Sequence, residues 1–537
     1  MSRLPDPVRA GLARGWRVHG GPHAAVPERI DCDVAIVGSG AGAGITAELL
    51  ARAGLRIVIV EEGPLKSSTD FHQRESDAYP SLYQESAARK TADKAINILQ
   101  GRCVGGSTTV NWTSSFRTPP ATLAFWREHF GLTELTVDAL APWFEQAEQR
   151  LGIDRWLMPP NENNDLLRRG AANLRIATAE IRRNVKGCWN LGSCGMGCPT
   201  NAKQSMLVTT IPAALDAGAQ LLVQTRAQRL EQTDGRITGL QCVAVRNDGS
   251  AAGAGVTRIV ARHYVVAGGA INSPALLLRS ALPDPHRRLG QRTFLHPVVI
   301  SAAVFDAPVE GWKGAPQTLY TDHFLDTQAI DGPIGYKLEA PPLHPVIFTS
   351  TLPGFGRAQT DLLARFPNTH ALLALMRDGF HEQSPGGSVR LRGDGSPLLD
   401  YPLNAFVLEG ARRAFLSMAE IQFAAGARKV LPVHELAATY GSWSQARAGI
   451  EALPMQPLLT RVVSAHVMGG CGMAGTPQLG VVRPDGVHWQ IDNLSVHDGS
   501  LFPTSIGANP QLSIYGIVNR LATNLARSLA GRTVALA

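Results

Sequence analysis

Hydrophobic and polar positions near the start of the chain predict a strand, a helix and a second strand in close succession. Residues 34–37 are an uninterrupted apolar run, as expected of a buried parallel strand. Residues 45–53 repeat apolar side chains at helical spacing, and residues 55–60 form a second apolar run that is rich in β-branched side chains. A glycine-rich stretch joins the first strand to the helix. This pattern is typical of a strand–turn–helix–strand unit.

Later segments carry weaker patterns of the same kinds, and together they predict an α/β fold without internal repeats. Residues 65–100 are polar and helix-prone and contain no clear core strand. Residues 300–460 mix short strands with one amphipathic helix. The predicted strands lie within 220–245, 257–267, 387–392, 397–401 and 458–463, and the predicted long helices are 405–424 and 511–529.

The turn after the first strand has the residue types that a bound dinucleotide requires. Gly38 permits a tight turn, Gly40 lets the backbone approach a pyrophosphate, and Ala43 allows close packing of helix on strand. Glu61 ends the second strand, 23 positions after Gly38, where its carboxylate can accept hydrogen bonds from a ribose. A glycine-rich turn between core elements is the alternative. The turn does not by itself distinguish FAD from NAD.

Composition and charge describe an ordinary globular enzyme. The 537 residues include 51 basic and 44 acidic side chains, for a net charge of +7, without a block of basic residues. This argues against a dedicated nucleic-acid surface. The sequence has no apolar run of 18 residues and no secretory signal, so a cytoplasmic location is expected. Residues 7–18 could form a short basic amphipathic helix suited to peripheral membrane contact, but a loosely docked N-terminal arm is favoured.

Three further groups of residues, in this order along the chain, match the signatures of one enzyme family. They are 101–111 (GRCVGGSTTVN), 269–280 (GAINSPALLLRS), and the C-terminal segments 464–473, 493–503 and 507–511. With the glycine turn, they make the chain resemble the glucose–methanol–choline (GMC) flavoprotein oxidoreductases over nearly its whole length. Ser280-Ala281 stands where the family usually has Ser-Gly, which is a minor departure.

The resemblance implies a Rossmann-type FAD-binding domain and an α+β substrate domain of sheet and helices. The FAD-binding domain would be discontinuous, drawn from 1–120, 200–300 and 455–537, and the substrate domain and cap segments would comprise 121–199 and 301–454. FAD would be bound non-covalently, because Val110 stands where covalently flavinylated members have histidine. The residues expected to contact FAD are Gly38, Gly40, Ala43, Glu61, Gly101, Arg102, Gly105, Gly106, Ser107, Asn111, Asp498, Gly499, Asn509, Pro510 and Gln511.

The resemblance also places the catalytic residues. His466 occupies the position of the family's catalytic histidine, and a neutral imidazole is a natural base for an alcohol proton. Asn509 matches the second catalytic position, where it can orient the substrate oxygen but cannot act as base. His296 matches another recurrent histidine of the family, for which a structural role is expected. His497 is likewise expected to be structural.

Cys188, Cys194 and Cys198 lie within eleven residues and could ligate an iron–sulfur cluster or zinc. Their spacing resembles the cluster-binding segment of bacterial glucose dehydrogenases of the family, whereas long-chain alcohol oxidases have a cysteine-rich loop here. The chain has seven cysteines, an odd number that does not suit a disulfide framework. Packed free thiols are therefore favoured over a cluster, and no metal site is assigned.

The expected reaction is FAD-dependent oxidation of a small-molecule alcohol to an aldehyde or ketone. Apolar stretches at 341–353 and 371–376 favour a hydrophobic aliphatic alcohol, with a sterol or a sugar or polyol as alternatives. Electrons would pass on to O2, a quinone or another acceptor. A nicotinamide-dependent enzyme, and a family member without redox function that acts as a lyase or binding protein, are alternatives from other classes.

Overall fold

A computed structural model describes residues 4–537 and places a large mixed sheet beneath the N-terminal glycine turn. Strand Arg29–Val37 lies beside Ile57–Val60, and the two pair in parallel as predicted. On its other side Arg29–Val37 pairs in parallel with the long strand Ala251–Val266. The full strand order is Arg17–His19, Gln220–Leu222, Ile57–Val60, Arg29–Val37, Ala251–Val266, Arg236–Val245 and Thr225–Thr233, with Leu494–Val496 also paired to Ala251–Val266.

The parallel strands of this sheet end at one edge, and several residues predicted to contact the cofactor follow directly after these strands. Gly38 follows the first strand, Glu61 follows the second, and Asp498 lies two residues beyond Leu494–Val496. Helix Ala41–Arg52 begins directly after the glycine turn and packs against the C-terminal helix Gln511–Ala530. Ligands of open α/β sheets bind at the carboxyl ends of such strands.

A second sheet faces this edge. Its strand order is Ile96–Ile98, Val462–Ser464, Val298–Val304, Thr369–Met376, Tyr336–Glu339, Leu319–Thr321 and Ala179–Glu180, with Lys429–Pro432 also paired to Val298–Val304. Helix Ala405–Ala424 packs on one face of the sheet and buries Val299, Ala303 and Leu372 in a common core. The α/β fold with a second sheet-and-helix unit is therefore confirmed.

The remaining elements are short. The other helices are Pro7–Ala13, Glu75–Leu82, Ser107–Val110, Pro120–Phe130, Val137–Leu151, Glu162–Asn173, Thr210–Asp216, Asn272–Arg279, His323–Asp326, Pro345–Thr351, Arg357–Ala364 and Trp443–Ala452. The 3-10 turns are Ser68–Asp70, Gln84–Ala87, Cys194–Met196, Phe366–Asn368 and Gly499–Leu501. Two-stranded ribbons pair Thr293–Phe294 with Met468–Gly469, Ser388–Leu391 with Pro397–Asp400, and Ile153–Asp154 with Arg183–Asn184.

The segment 7–18, for which a loosely docked arm is favoured over a helix, is helical only from Pro7 to Ala13, because residues 17–19 join the edge of the first sheet. Two local predictions were wrong. The polar segment 65–100 does contain a core strand, Ile96–Ile98, whose two isoleucines are fully buried. Residues 300–460 contain several helices, not one. Short elements such as these are fixed by their tertiary neighbours and carry little periodicity of their own. None of the described helices is both long and apolar enough to span a bilayer.

Candidate active site

A cavity of about 960 Å³ separates the two sheets and receives most of the predicted site residues. Ala43 and Gly105 are the two that do not line it. Ala43 is fully buried inside helix Ala41–Arg52, in keeping with a packing position. The predicted residues on the cavity wall are Gly38, Gly40, Glu61, Gly101, Arg102, Gly106, Ser107, Asn111, His466, Asp498, Gly499, Asn509, Pro510 and Gln511.

The two glycine segments meet at the cavity wall. A methyl group on Gly106 would come within 2.9 Å of the Gly40 Cα atom. A methyl group on Gly42 would stand 1.7 Å from the His497 carbonyl oxygen, so helix Ala41–Arg52 reaches this position only because the side chain is absent. Because these glycines have no side chains, the backbone N–H groups at the N-terminus of the helix are accessible to the pyrophosphate of a dinucleotide.

The Glu61 carboxylate is buried beside the glycine turn. The Ser39 hydroxyl donates to Glu61 Oε2 at 2.5 Å, and the Gly63 N–H donates to Oε1 at 2.7 Å. Burial raises the pKa of Glu61 to about 7, against the opposing effect of these two donors. Each oxygen keeps a lone pair that can accept a ribose hydroxyl.

Other predicted contacts are already engaged within the protein. The Asn111 side-chain amide donates to Gln511 Oε1 at 2.6 Å, which joins the second glycine segment to the C-terminal helix. The Arg102 guanidinium donates to Glu62 at 3.0 Å and to backbone carbonyls, so it braces the wall. Asp498 accepts from the Gly269 N–H at 2.8 Å and from the Ser273 hydroxyl at 2.5 Å.

His466 lies on the cavity wall beyond the glycine segments and contacts a second histidine. The Nδ1 atoms of His466 and His296 are 3.1 Å apart, and their rings stack with centroids 5.3 Å apart. Burial within the protein lowers the pKa of His466 to about 4, so its imidazole is neutral at pH 7. The contact with His296 was not foreseen, because 170 residues separate the two in sequence.

Asn509 is held by a buried carboxyl group that the sequence analysis missed. The Asn509 side-chain amide donates to Glu339 Oε2 at 3.2 Å, and Glu339 is fully buried. Burial raises the pKa of Glu339 to about 7, with Lys337 and Asn509 opposing the shift. Lys337 is itself paired with Asp322 at 2.7 Å. Only a weak signal for Glu339 was available in the sequence, since it ends the short strand Tyr336–Glu339 two residues after the charged Lys337.

One face of the second sheet forms an apolar wall of the cavity. Strands Val298–Val304 and Thr369–Met376 are antiparallel and directly paired. Three cross-strand pairs lie on the cavity side, namely Val298 with Leu375, Ile300 with Leu373, and Ala302 with Ala371. Helix Pro345–Thr351 contributes Ile347 and Phe348 to the same space. We call this surface the apolar wall, and it suits a hydrocarbon ligand.

The three clustered cysteines, Cys188, Cys194 and Cys198, are partly buried free thiols. No group of three or more His, Cys, Asp or Glu side chains within 4–537 is arranged to hold a metal ion. Instead, the buried Lys203 Nζ donates to the carbonyls of Cys194, Thr109 and Asn111 at 2.6–2.8 Å. The cysteine loop is thereby fastened to the second glycine segment.

Comparisons with known proteins agree with this geometry. Two family models described as GMC oxidoreductase match residues 79–298 and 383–517. A long-chain-alcohol oxidase of Arabidopsis thaliana is 27% identical, over 93% of this chain and 69% of its own. A GMC-type oxidoreductase of Mycobacterium tuberculosis is 31% identical, over 94% of this chain and 77% of its own. A formate oxidase of Aspergillus oryzae has a similar fold, with a TM-score of 0.65 at 15% identity, covering 94% of this chain and 99% of the other.

The glycine turn, the acid at Glu61 and the parallel strands that they follow are those of a dinucleotide-binding fold, and a second sheet lines the adjoining cavity. The chain belongs to the GMC oxidoreductase family. It is accordingly an FAD-binding flavoprotein, and the glycine segments and Glu61 fit that cofactor.

Proposed function

We propose that the protein oxidises the CH–OH group of a hydrophobic aliphatic alcohol to an aldehyde or ketone. The observation that carries this proposal is the position of His466, which lines one continuous cavity with both the glycine segments and the apolar wall. A neutral base, a cofactor cradle and a hydrocarbon-binding surface therefore meet in a single space.

FAD bound non-covalently against Gly40, Gly106 and Glu61 would supply the hydride acceptor for this reaction. His466 would take the hydroxyl proton on Nε2, since its Nδ1 already contacts His296. Asn509 would orient the substrate oxygen, and its own orientation depends on the bond to Glu339. Because the pKa of His466 is about 4, the free base is present throughout the physiological pH range.

Substrate class follows from the apolar wall. A sugar or polyol would present many hydroxyl groups to Val298, Ile300 and Leu373, which offer no hydrogen-bond partners. An alkyl chain would instead replace the water at these side chains, and each buried methylene contributes about 0.8 kcal/mol. The similarity to a long-chain-alcohol oxidase supports the same class. A sterol is the nearest alternative. A lyase role is disfavoured because both His466 and Asn509 reach the cavity.

The test is an anaerobic absorption spectrum of the purified holoenzyme before and after addition of 1-dodecanol. We expect flavin bands that bleach with 1-dodecanol and do not bleach with glucose at the same concentration. The His466→Gln variant should retain its flavin bands, and 1-dodecanol should bleach them about 10²–10⁴-fold more slowly than in the wild type. Readmitted air then distinguishes fast reoxidation by O2 from the need for another acceptor. Flavin bands that ignore aliphatic alcohols but bleach with a sterol or a polyol would refute the substrate class.

A further inference from the structure

The contact between His466 and His296 assigns a function to the second histidine. Their Nδ1 atoms lie 3.1 Å apart, which is hydrogen-bond distance, so one ring donates a proton and the other accepts it. With Nδ1 engaged, Nε2 is the only nitrogen of His466 left to meet a substrate in the cavity. The direction of the Nδ1–Nδ1 bond therefore decides whether Nε2 carries a lone pair or a proton.

His296 is held in place more firmly than an ordinary core side chain. It is fully buried and has a positive φ of +46°, a left-handed backbone conformation that is uncommon for residues other than glycine, although histidine adopts it more often than most. The N–H groups of Leu295 and His296 both donate to the Asp378 carboxylate at 3.1 Å. The Tyr401 hydroxyl donates to the same carboxylate at 2.8 Å. This clamp fixes the turn that carries the imidazole.

Groups around His296 keep its ring neutral. Burial, and then the nearby charges of His466, Lys337 and Arg377, hold the pKa of His296 well below its ordinary value. His296 Nε2 makes no hydrogen bond to the described residues, so the contact with His466 is the only hydrogen bond of the His296 ring, and the nearby Leu375 backbone carbonyl acts to raise its pKa. The Asp378 carboxylate accepts from the backbone N–H groups of Leu295 and His296 and from the Tyr401 hydroxyl, and it makes no hydrogen bond to the His296 ring. A neutral His296 that carries its proton on Nε2 has a lone pair on Nδ1, the nitrogen that faces His466.

We propose that His296 is a positioning residue whose Nδ1 accepts a hydrogen bond from the Nδ1–H of His466, so that the lone pair of His466 Nε2 points to the alcohol. The inference rests on the alcohol oxidation proposed above. When Nε2 takes the hydroxyl proton, an O–H bond breaks and an N–H bond forms, and His466 becomes an imidazolium. The lone pair of His296 then stabilises that charge through the existing N–H···N bond.

A measurement that is independent of turnover tests the bond itself. In holoenzyme labelled with ¹⁵N-histidine, a scalar coupling between two ring nitrogens is expected across the N–H···N bond. The pair is assigned by its disappearance in His296→Ala. This coupling does not depend on any substrate, so it can be present even if the alcohol proposal fails. Wild-type holoenzyme without such a coupling would overturn the inference.

The pH profile of kcat/KM then tests the role in catalysis. His296→Ala should lower the plateau about 10–100-fold and move the acidic limb to lower pH, because the imidazolium of His466 loses its acceptor. His296→Asn keeps an acceptor oxygen and suits the positive φ, so it should restore most of the plateau. Tyr401→Phe loosens the Asp378 clamp without altering either ring and serves as the control. If Tyr401→Phe and His296→Ala lower activity only in step with their melting temperatures, at an unchanged acidic limb, His296 is merely structural.

Discussion

Glu339 offers the most direct test of the electrostatics around Asn509. Its carboxyl group is fully buried, and its only side-chain hydrogen bond within the described residues is the one from the Asn509 amide at 3.2 Å. Glu339→Gln keeps the shape of the side chain and removes the titrating group. Lys337 is not left without a partner by this change, because it remains paired with Asp322.

The expected change in the free energy of unfolding follows from the raised pKa of Glu339. Burial moves the pKa of Glu339 from an ordinary value of 4.5 to about 7. At 1.36 kcal/mol per pKa unit, this shift corresponds to roughly 3 kcal/mol. The folded state binds the proton more tightly than the unfolded state does. The contribution to stability is therefore fully present below about pH 4.5 and is lost as the pH rises through about 7. Above that pH the wild-type protein contains a buried carboxylate, which the glutamine variant lacks.

The assay is a thermal melt of wild-type and Glu339→Gln holoenzyme between pH 5.5 and 8.5. At pH 5.5, one unit above the ordinary pKa of 4.5, part of the contribution is already lost. The melting temperature of the variant relative to wild type should therefore rise by a few degrees from pH 5.5 to pH 8.5, since 1 kcal/mol corresponds to at most about 2–4 °C in a chain of this size. Glu382→Gln, at an exposed glutamate, is the matched control. A melting difference between wild type and Glu339→Gln that is the same at every pH would refute the reasoning.

Two further substitutions test the cofactor cradle and the apolar wall. Gly42→Ala places a methyl group 1.7 Å from the His497 carbonyl and should release FAD or lower the melting temperature sharply, whereas Gly393→Ala, where a methyl group meets nothing within 4 Å, should do neither. Equal FAD content together with equal melting temperatures in the two purified variants would contradict the packing argument. Ala302→Phe adds a ring to the apolar wall and should lower kcat/KM for 1-dodecanol about tenfold or more while sparing 1-butanol, and an equal loss for both alcohols would show that the alkyl chain does not lie there.

Much of the FAD-side architecture could be predicted because each of its features is local in sequence. The turn at Gly38 and the acid at Glu61 belong to one strand–helix–strand unit, and the structure places both on the cavity wall. Helix Ala405–Ala424 was predicted with the same bounds, because twenty residues of amphipathic period leave little ambiguity. Predicted roles for individual residues, and the division of the chain into two discontinuous domains, remain predictions.

The contacts that tune the candidate catalytic residues could not be predicted in this way. His296 reaches His466 from 170 residues away, and Glu339 reaches Asn509 across the same distance. No spacing in the sequence predicts either contact, because the second sheet brings together segments whose order in space differs from their order in sequence. The structural role expected for His296 rested on the absence of a uniform family role, which says nothing about its neighbours in this chain.

The apolar wall shows why the sequence indicates an apolar segment at 371–376 without showing which of its side chains face the cavity. All eight residues of Thr369–Met376 are buried, and residues 371–376 are all apolar, so this part of the strand lacks the alternation that would distinguish one face from the other. Leu372 packs against helix Ala405–Ala424, while the adjacent Leu373 faces the cavity, and the two are chemically identical. A buried core and a proposed hydrocarbon-binding surface therefore call for the same side chains. Only the position of a packed helix on one face, and of the cavity with His466 on the other, distinguishes the half of the strand for which we propose substrate contact.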